Sequence, residues 1–276
     1  ISMANDLGPT AYAPPVRIAT WNVNSIRQRL PRLLALLARH DLDVVCLQET
    51  KVADADFPID ALLEVGYEAL SHGQGGRNGV AIVSRLPLDE IARGMAGDPV
   101  PAEARLLAAR AGDLTIASLY AVNGKEVGDP AYETKLAWYE ALRDWARASF
   151  DLAAPVLLTG DFNVAPDDRD VYDPVAWRGR NLASEPERDR LRDVLELGFD
   201  DLGRRAAGDV EGPFSFWDYR MGAFHRGWGL RIDLALGTAP VAARLVSVDV
   251  DREERKPTSG EGKPSDHAPV IVTLRD

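Results

Sequence analysis

With a single cysteine in 276 residues, the chain has no disulfide framework. That residue, Cys46, lies inside the apolar run from Val44 to Leu47, where a buried thiol is expected rather than a nucleophile or metal ligand. No stretch approaches the roughly 18 apolar residues that cross a bilayer, so no membrane partner is expected and the cytoplasm is the expected compartment. The head lacks a basic segment followed by an apolar one, so no secretory signal is expected in it. It reads as a disordered tail over residues 1–15, with Ile1 and Ser2 added ahead of Met3. Ser/Gly linkers and short-period repeats are also absent, so residues 16–276 are expected to form one domain and the protein a monomer. Positive charge is scarce: Lys plus Arg total 32 against 43 Asp plus Glu, giving a net charge of -11 and a pI near 4.9. Sequence-independent affinity for nucleic acid comes from basic groups that displace counterions, so this balance counts against such a partner unless the cations are placed locally. Arg27, Lys51, Arg77, Lys125, Arg220, Arg226 and Arg231 do fall near the polar clusters described next.

What the chain has is 46% hydrophobic residues, enough for a large core. Val-, Ile- and Leu-rich runs recur at Val16 to Trp21, Leu42 to Leu47, Val80 to Val83, Leu106 to Ala109, Leu114 to Tyr120, Val156 to Thr159, Leu230 to Leu236, Val246 to Val250 and Pro269 to Leu274. Continuous apolar character predicts strands covered on both faces. Amphipathic helices are predicted over Ile26 to His40, Ala131 to Phe150 and Glu187 to Leu197, the second with Asp129-Pro130 as its start signal. Strands outnumber helices without alternating strictly, which suits packed sheets with helices outside. The polar stretches Ala206 to Gly212 and Asp251 to Pro264 read as surface loops, the second as a solvated charged face.

Short polar clusters sit at the ends of these runs. Hydrolysing a phosphodiester demands about 8–23 kcal/mol of barrier reduction, and one aimed hydrogen-bond donor supplies about 3 kcal/mol, so several groups and a metal must converge. Trp21-Asn22-Val23-Asn24 follows a strand, where alternation would send both amides to one side and their oxygens could ligate or orient a hydrated metal. Taken alone it is equally a strand end with a helix cap. Glu49, in Gln48-Glu49-Thr50-Lys51, ends a buried strand and is the first choice as a ligand for a hard cation, a salt bridge being the plain alternative. In Gly160-Asp161-Phe162-Asn163 an acid that polarises water would stand beside an amide that holds it, although a Gly/Asp/Asn turn has the same composition. His267, in Ser265-Asp266-His267, is the one histidine beside an acid at a strand edge; Asp233 is its expected orienter, with Asp266 nearer the metal. Tyr120 and Asn123 end another strand, where a phenol and an amide could grip phosphate or simply cap the core.

Those motifs, with Asp170-Val171-Tyr172-Asp173-Pro174, the Phe214 to Arg220 segment and Gly229-Leu230-Arg231-Ile232-Asp233, resemble in order the exonuclease III family of apurinic/apyrimidinic endonucleases from about Val16 to Leu274. The resemblance implies an α/β fold, the four-layered α/β sandwich shared with deoxyribonuclease I, in which two packed mixed β-sheets are flanked by helices. It implies Mg²⁺ or Mn²⁺ dependence, duplex DNA with abasic sites or 3′ ends as partner, and incision 5′ to abasic sites with removal of nucleotides or blocking groups at 3′ ends. By that likeness Glu49 is the metal glutamate with Asn22, Asn24 and Asp266 nearby, Asp161 activates water, and Asn163, Tyr120, His267 and Asp233 complete the catalytic set. It also gives Phe216 to the extruded sugar, with Leu230 lining the same pocket and Trp217, Trp228, Arg220 and Asn123 assigned to substrate. Val122 stands where the family usually has a proline that presets the turn before Asn123. Two rivals share the scaffold or descend from it: a phosphoesterase for inositol phosphates or sphingomyelin, and a non-catalytic RNA-binding regulator similar to catabolite repression control protein.

Overall fold

The computed structural model describes residues 14–276, so the tail expected over 1–15 lies outside the described residues except for Pro14 and Pro15. Twelve strands, β1 (Val16–Asn22), β2 (Val44–Gln48), β3 (Glu68–His72), β4 (Val80–Ser84), β5 (Leu88–Arg93), β6 (Leu106–Ala111), β7 (Leu114–Tyr120), β8 (Val156–Asp161), β9 (Phe199–Asp201), β10 (Asp233–Thr238), β11 (Leu245–Val250) and β12 (Val270–Leu274), make two sheets of six. Their orders are β11-β12-β1-β2-β4-β3 and β5-β6-β7-β8-β10-β9. Each sheet is mixed, with one parallel pair at its centre: β1 with β2, and β7 with β8.

Period-two alternation sorts the side chains into layers. Ile18, Val44, Cys46 and Ile82 from one sheet meet Leu107, Ile116, Leu157 and Ala235 from the other to form the central core. The opposite faces carry Trp21, Val45 and Leu47, packed under helix Ile26–His40, and Leu106, Leu119 and Leu158, packed under helix Pro130–Ser149. The expected helix–sheet–sheet–helix sandwich is the fold, and Cys46 is fully buried within it. Helix Pro130–Ser149 starts as its sequence predicts: the Asp129 side chain accepts from the Ala131 N–H, and Pro130 fills the first position.

Three strands carry no apolar run and escape the pattern: β3, β5 and β9 are polar or very short. The run from Leu230 enters its strand only at Asp233; Leu230 itself bridges Phe216 and Val171. The segment from Asp251 to Pro264 is solvated as expected at Arg252, Glu253 and Lys263 but anchored at Glu254 and Arg255, which are buried. Arg32, fully buried, donates to Glu254 Oε1 at 2.7 Å and to the carbonyls of Glu254, Lys256, Pro257, Gly260 and Gly262, folding the segment onto helix Ile26–His40. A buried guanidinium needs such partners, and chain carbonyls supply them as well as acids do.

Gly160 is the glycine on which the site depends. Its φ is 150°, and a Cβ there would lie 2.0 Å from the Leu119 carbonyl oxygen on the neighbouring strand. Gly160→Ala is expected to cost about 1–3 kcal/mol of stability and to lower activity by shifting Asp161. Urea unfolding checks the first effect, and an unchanged midpoint would contradict it.

Candidate active site

The topology brings the strand ends together. Asn22 lies opposite Gln48 where β1 and β2 end, and Tyr120 lies opposite Asp161 where β7 and β8 end. Asp233 opens β10 directly across from Asp161, and His267 precedes β12. Glu49, Tyr120, Asp161, Asp233 and His267, distant in sequence, thus meet at one edge of the sandwich.

Two matching turns deliver the amides, and neither is extended as alternation alone would have it. The Asn22 side-chain oxygen accepts from the Asn24 N–H at 3.0 Å, and Asp161 Oδ1 accepts from the Asn163 N–H at 2.9 Å. Asn24 and Asn163 take φ values of 45° and 50°, and Glu49 takes 51°. Left-handed backbone at residues with Cβ atoms is strained and tends to collect at functional sites. Asn22 Nδ2 then donates to Glu49 at 2.8 Å and to Asp161 at 2.9 Å, so the cleft carboxylates meet its amide nitrogen while its oxygen is held inside the turn. Asn24 donates to Asp266 at 3.0 Å, and Lys51 reaches Asn24 Oδ1 at 2.5 Å and Glu49 at 2.8 Å.

Behind the cleft, Asp161, Asp233 and His267 form a buried cluster whose ligand atoms all lie within 4.8 Å of one another. His267 Nδ1 sits 2.9 Å from Asp233, whose Oδ2 also accepts from the Ser215 hydroxyl at 2.6 Å; the other ring nitrogen lies 3.8 Å from Asp161. Burial alone would push the imidazole down, but Asp233 and Asp161 outweigh it and raise His267 to about 10. The two carboxylates thus favour the charged ring, which is fixed through Nδ1 on Asp233 with Nε2 toward Asp161, an arrangement suited to an oxyanion. Burial raises Asp161 to about 7, with Asp233 and Glu49 adding to the effect against His267 and Asn22. Burial likewise pushes the Tyr120 phenol well above its usual range, helped by Glu49 and Asp161. Carboxylates thus outnumber cations, and the donors at the mouth are carboxylate and amide oxygens. That set fits a hard divalent cation, whose charge would offset the excess.

Asn163 is fixed from three sides: its Nδ2 donates to the Ala121 carbonyl at 2.9 Å, its Oδ1 accepts from Asn123, and its carbonyl accepts from Lys135 at 2.6 Å. Asn123 is exposed on a loop that Asn181 clasps through the carbonyls of Asn123 and Lys125. Arg105 lies 4.8 Å over the Tyr120 ring and donates to the Tyr120 and Ala121 carbonyls. On the other wall the Phe216 ring is 4.8 Å from His267, and Leu230 is buried beside it.

The other expected substrate residues, Trp217, Arg220 and Trp228, lie on the segment that follows Phe216. Trp217 is buried against Phe224, and Trp228 is stacked on Tyr172 at 5.6 Å. Arg220 is exposed and paired with Asp218. Arg231 does not face the cleft: it is buried and gripped by Asp170 and Asp201, because a guanidinium beneath a strand needs carboxylates more than solvent does. Sequence reasoning passes over Ser215, Lys135, Asn181 and Arg105. Lys135 left one trace, a lysine three residues after Tyr132 on the face that buries Tyr132, Tyr139 and Leu142.

Residues 19–267 match the model of the endonuclease/exonuclease/phosphatase family. The chain is 32% identical to exodeoxyribonuclease III of Haemophilus influenzae over 94% of its own length and 100% of the relative's, and 29% identical to an exodeoxyribonuclease of Bacillus subtilis over 94% and 99%. Its fold superposes on the 3′ phosphatase NExo from Neisseria, solved with a product DNA hairpin, with a TM-score of 0.90 at 36% identity, covering 95% of this chain and 100% of that one. An AP endonuclease from Archaeoglobus fulgidus gives 0.88 at 35% identity, covering 94% and 99%. A cleft of strand-end acids, amides and one imidazolium on a two-sheet sandwich, with these likenesses over nearly the whole chain, shows that the protein belongs to the endonuclease/exonuclease/phosphatase family, as a nuclease of the exodeoxyribonuclease III and AP endonuclease kind.

Proposed function

We propose that this chain is a Mg²⁺- or Mn²⁺-dependent DNA repair nuclease that hydrolyses phosphodiesters 5′ to abasic sites and at 3′ ends of duplex DNA. The observation that carries this is the meeting of Asp161, Asn163, Tyr120, Asp233 and His267 with Glu49 at one sheet edge. Glu49 would hold the cation, with Asp266 and Asn24 beside it. When bound, the cation neutralises phosphate charge as a Lewis acid. Asp161 takes the proton of the attacking water, a role that its raised affinity for protons suits. His267 and Asn163 orient and stabilise the phosphate oxygens, and Tyr120 donates from its phenol, which burial keeps protonated. Asp233 and Ser215 hold the imidazolium in place. Asn22 bridges Glu49 and Asp161, so it is an amide clamp between base and metal ligand.

The test is a duplex carrying one abasic site, incubated with Mg²⁺ and then with chelator. Incision 5′ to the site is expected with the metal, and chelator should lower the rate by at least about 10³-fold, the order of several lost electrostatic stabilisations. Intact duplex in both lanes would overturn the proposal in favour of the RNA-binding regulator. An inositol phosphate or sphingomyelin assay run in parallel separates the same-fold phosphoesterase.

A further inference from the structure

We infer that Arg226, Arg252 and Lys263 form a cationic rail beside the cleft that takes the sugar-phosphate backbone of the DNA, an inference that rests on the nuclease reading above. All three side chains are exposed. Each lies over an aromatic ring: Arg226 over Trp228 at 4.5 Å, Arg252 over Phe224 at 5.0 Å and Trp217 at 5.5 Å, and Lys263 over Tyr219 at 4.2 Å. Most lysines and arginines here have a carboxylate oxygen within 4.0 Å; among the described residues these three have none. Of the acids nearby in sequence, Asp218 is engaged by Arg220, Asp251 by Arg39 and Glu253 by Lys256.

An aromatic face holds a cation in place without neutralising it. Apart from Arg252 Nη2, which donates to the Phe224 carbonyl at 3.4 Å, the N–H donors stay available to an incoming oxyanion, whereas a salt-bridged arginine would first have to leave its acid. The position suits phosphates that flank the scissile one. The four rings lie on the Trp217–Trp228 segment, which is tied to the catalytic edge by the Trp217 backbone N–H on the Asp266 carbonyl at 2.9 Å and by Phe216 against His267. Behind this wall Arg29 and Arg255, both buried and also without a carboxylate within 4.0 Å, donate to the carbonyls of Pro264, Ser265 and Trp217, so they add positive potential to the same side. The net charge of -11 therefore does not exclude a strip of unpaired cations along this wall.

The experiment measures duplex affinity in chelator across a potassium chloride series, for the wild type, the variants Arg226→Gln, Arg252→Gln and Lys263→Gln, and the triple variant. Glutamine removes the charge and keeps a stem over the ring. Each substitution is expected to reduce the slope of log affinity against log salt by about 0.9, and the triple variant should raise KM for abasic-site incision with kcat nearly unchanged. Arg110→Gln and Arg147→Gln serve as controls, since Arg110 lies at the far end of β6 and Arg147 in the last turn of its helix; both also lack a carboxylate within 4.0 Å and should leave the slope alone. A triple variant with the wild-type slope, or controls that lower it equally, would overturn the rail. Wild-type protein that neither binds nor cuts duplex would instead overturn the nuclease reading, so the two failures are distinguishable.

Discussion

Asp161→Asn is expected to lower abasic-site incision by about 10²–10⁴-fold, the range that a positioned general base contributes, with duplex affinity nearly unchanged. The substitution is isosteric but not innocent. Asp161 Oδ2 accepts from the Asn22 amide and Oδ1 from the Asn163 N–H, so an NH₂ group at either place meets another donor. The conflict cannot be relieved from position 22, because Asn22 Nδ2 also donates to Glu49 and an aspartate there would set two carboxylates together. An Asp161→Asn protein that turned over at near the wild-type rate would mean that Asp161 only shapes the cleft. The pH dependence carries its own sign. In metal-free protein Asp161 is raised to about 7, above the carboxyl range of an unfolded chain, so its contribution to stability is complete at low pH and is lost as pH rises through about 7. The stability difference between wild type and Asp161→Asn should therefore shift against the wild type from pH 4 towards pH 8 in chelator, as urea midpoints would report.

The layers were legible because fully covered strands write themselves as apolar runs: β7 begins and ends where the pattern predicts, and β3, β5 and β9 were hidden because their sequences are polar or very short. The identity of the strand-end groups was legible for a related reason. An acid at the end of a buried run is costly without a partner, so Glu49, Asp161 and Asp233 stand out. Their orientation was not legible. Extended alternation would align Asn22 with Asn24 and Asp161 with Asn163, but in both cases the first side chain caps a left-handed third residue, which only backbone angles reveal. The arginines mislead for a different reason. Arg231 and Arg32 look like surface or phosphate-facing cations by residue type, and the fold buries both against carboxylates or chain carbonyls several turns or strands away in sequence. The unpaired cations over the aromatic wall look no different in sequence from these buried ones.

Lys135→Met is expected to cost about 3–5 kcal/mol, the penalty for breaking a buried ion pair from one side, and to lower the melting temperature by roughly 6–20 °C for a chain of this size. Lys135 and Glu187 are both fully buried and joined directly, and burial pulls the lysine below its ordinary range while Glu187 opposes the shift. Removing the ammonium would leave Glu187 with only the Ser184 N–H and hydroxyl, at 2.8 and 2.9 Å, and would orphan the Asn163 carbonyl and the Asn181 side-chain oxygen. The second loss bears on function, because Asn163 and, through Asn181, the Asn123 loop hang from the same nitrogen. Lys135→Met with Glu187→Leu separates the two effects: an apolar pair can replace a buried ion pair with little net cost, so the melting temperature should largely return. Turnover should not return, since no methyl group can hold the Asn163 carbonyl. A single variant that melts and turns over like the wild type, or a double variant that recovers both properties, would show that the ammonium anchors neither loop.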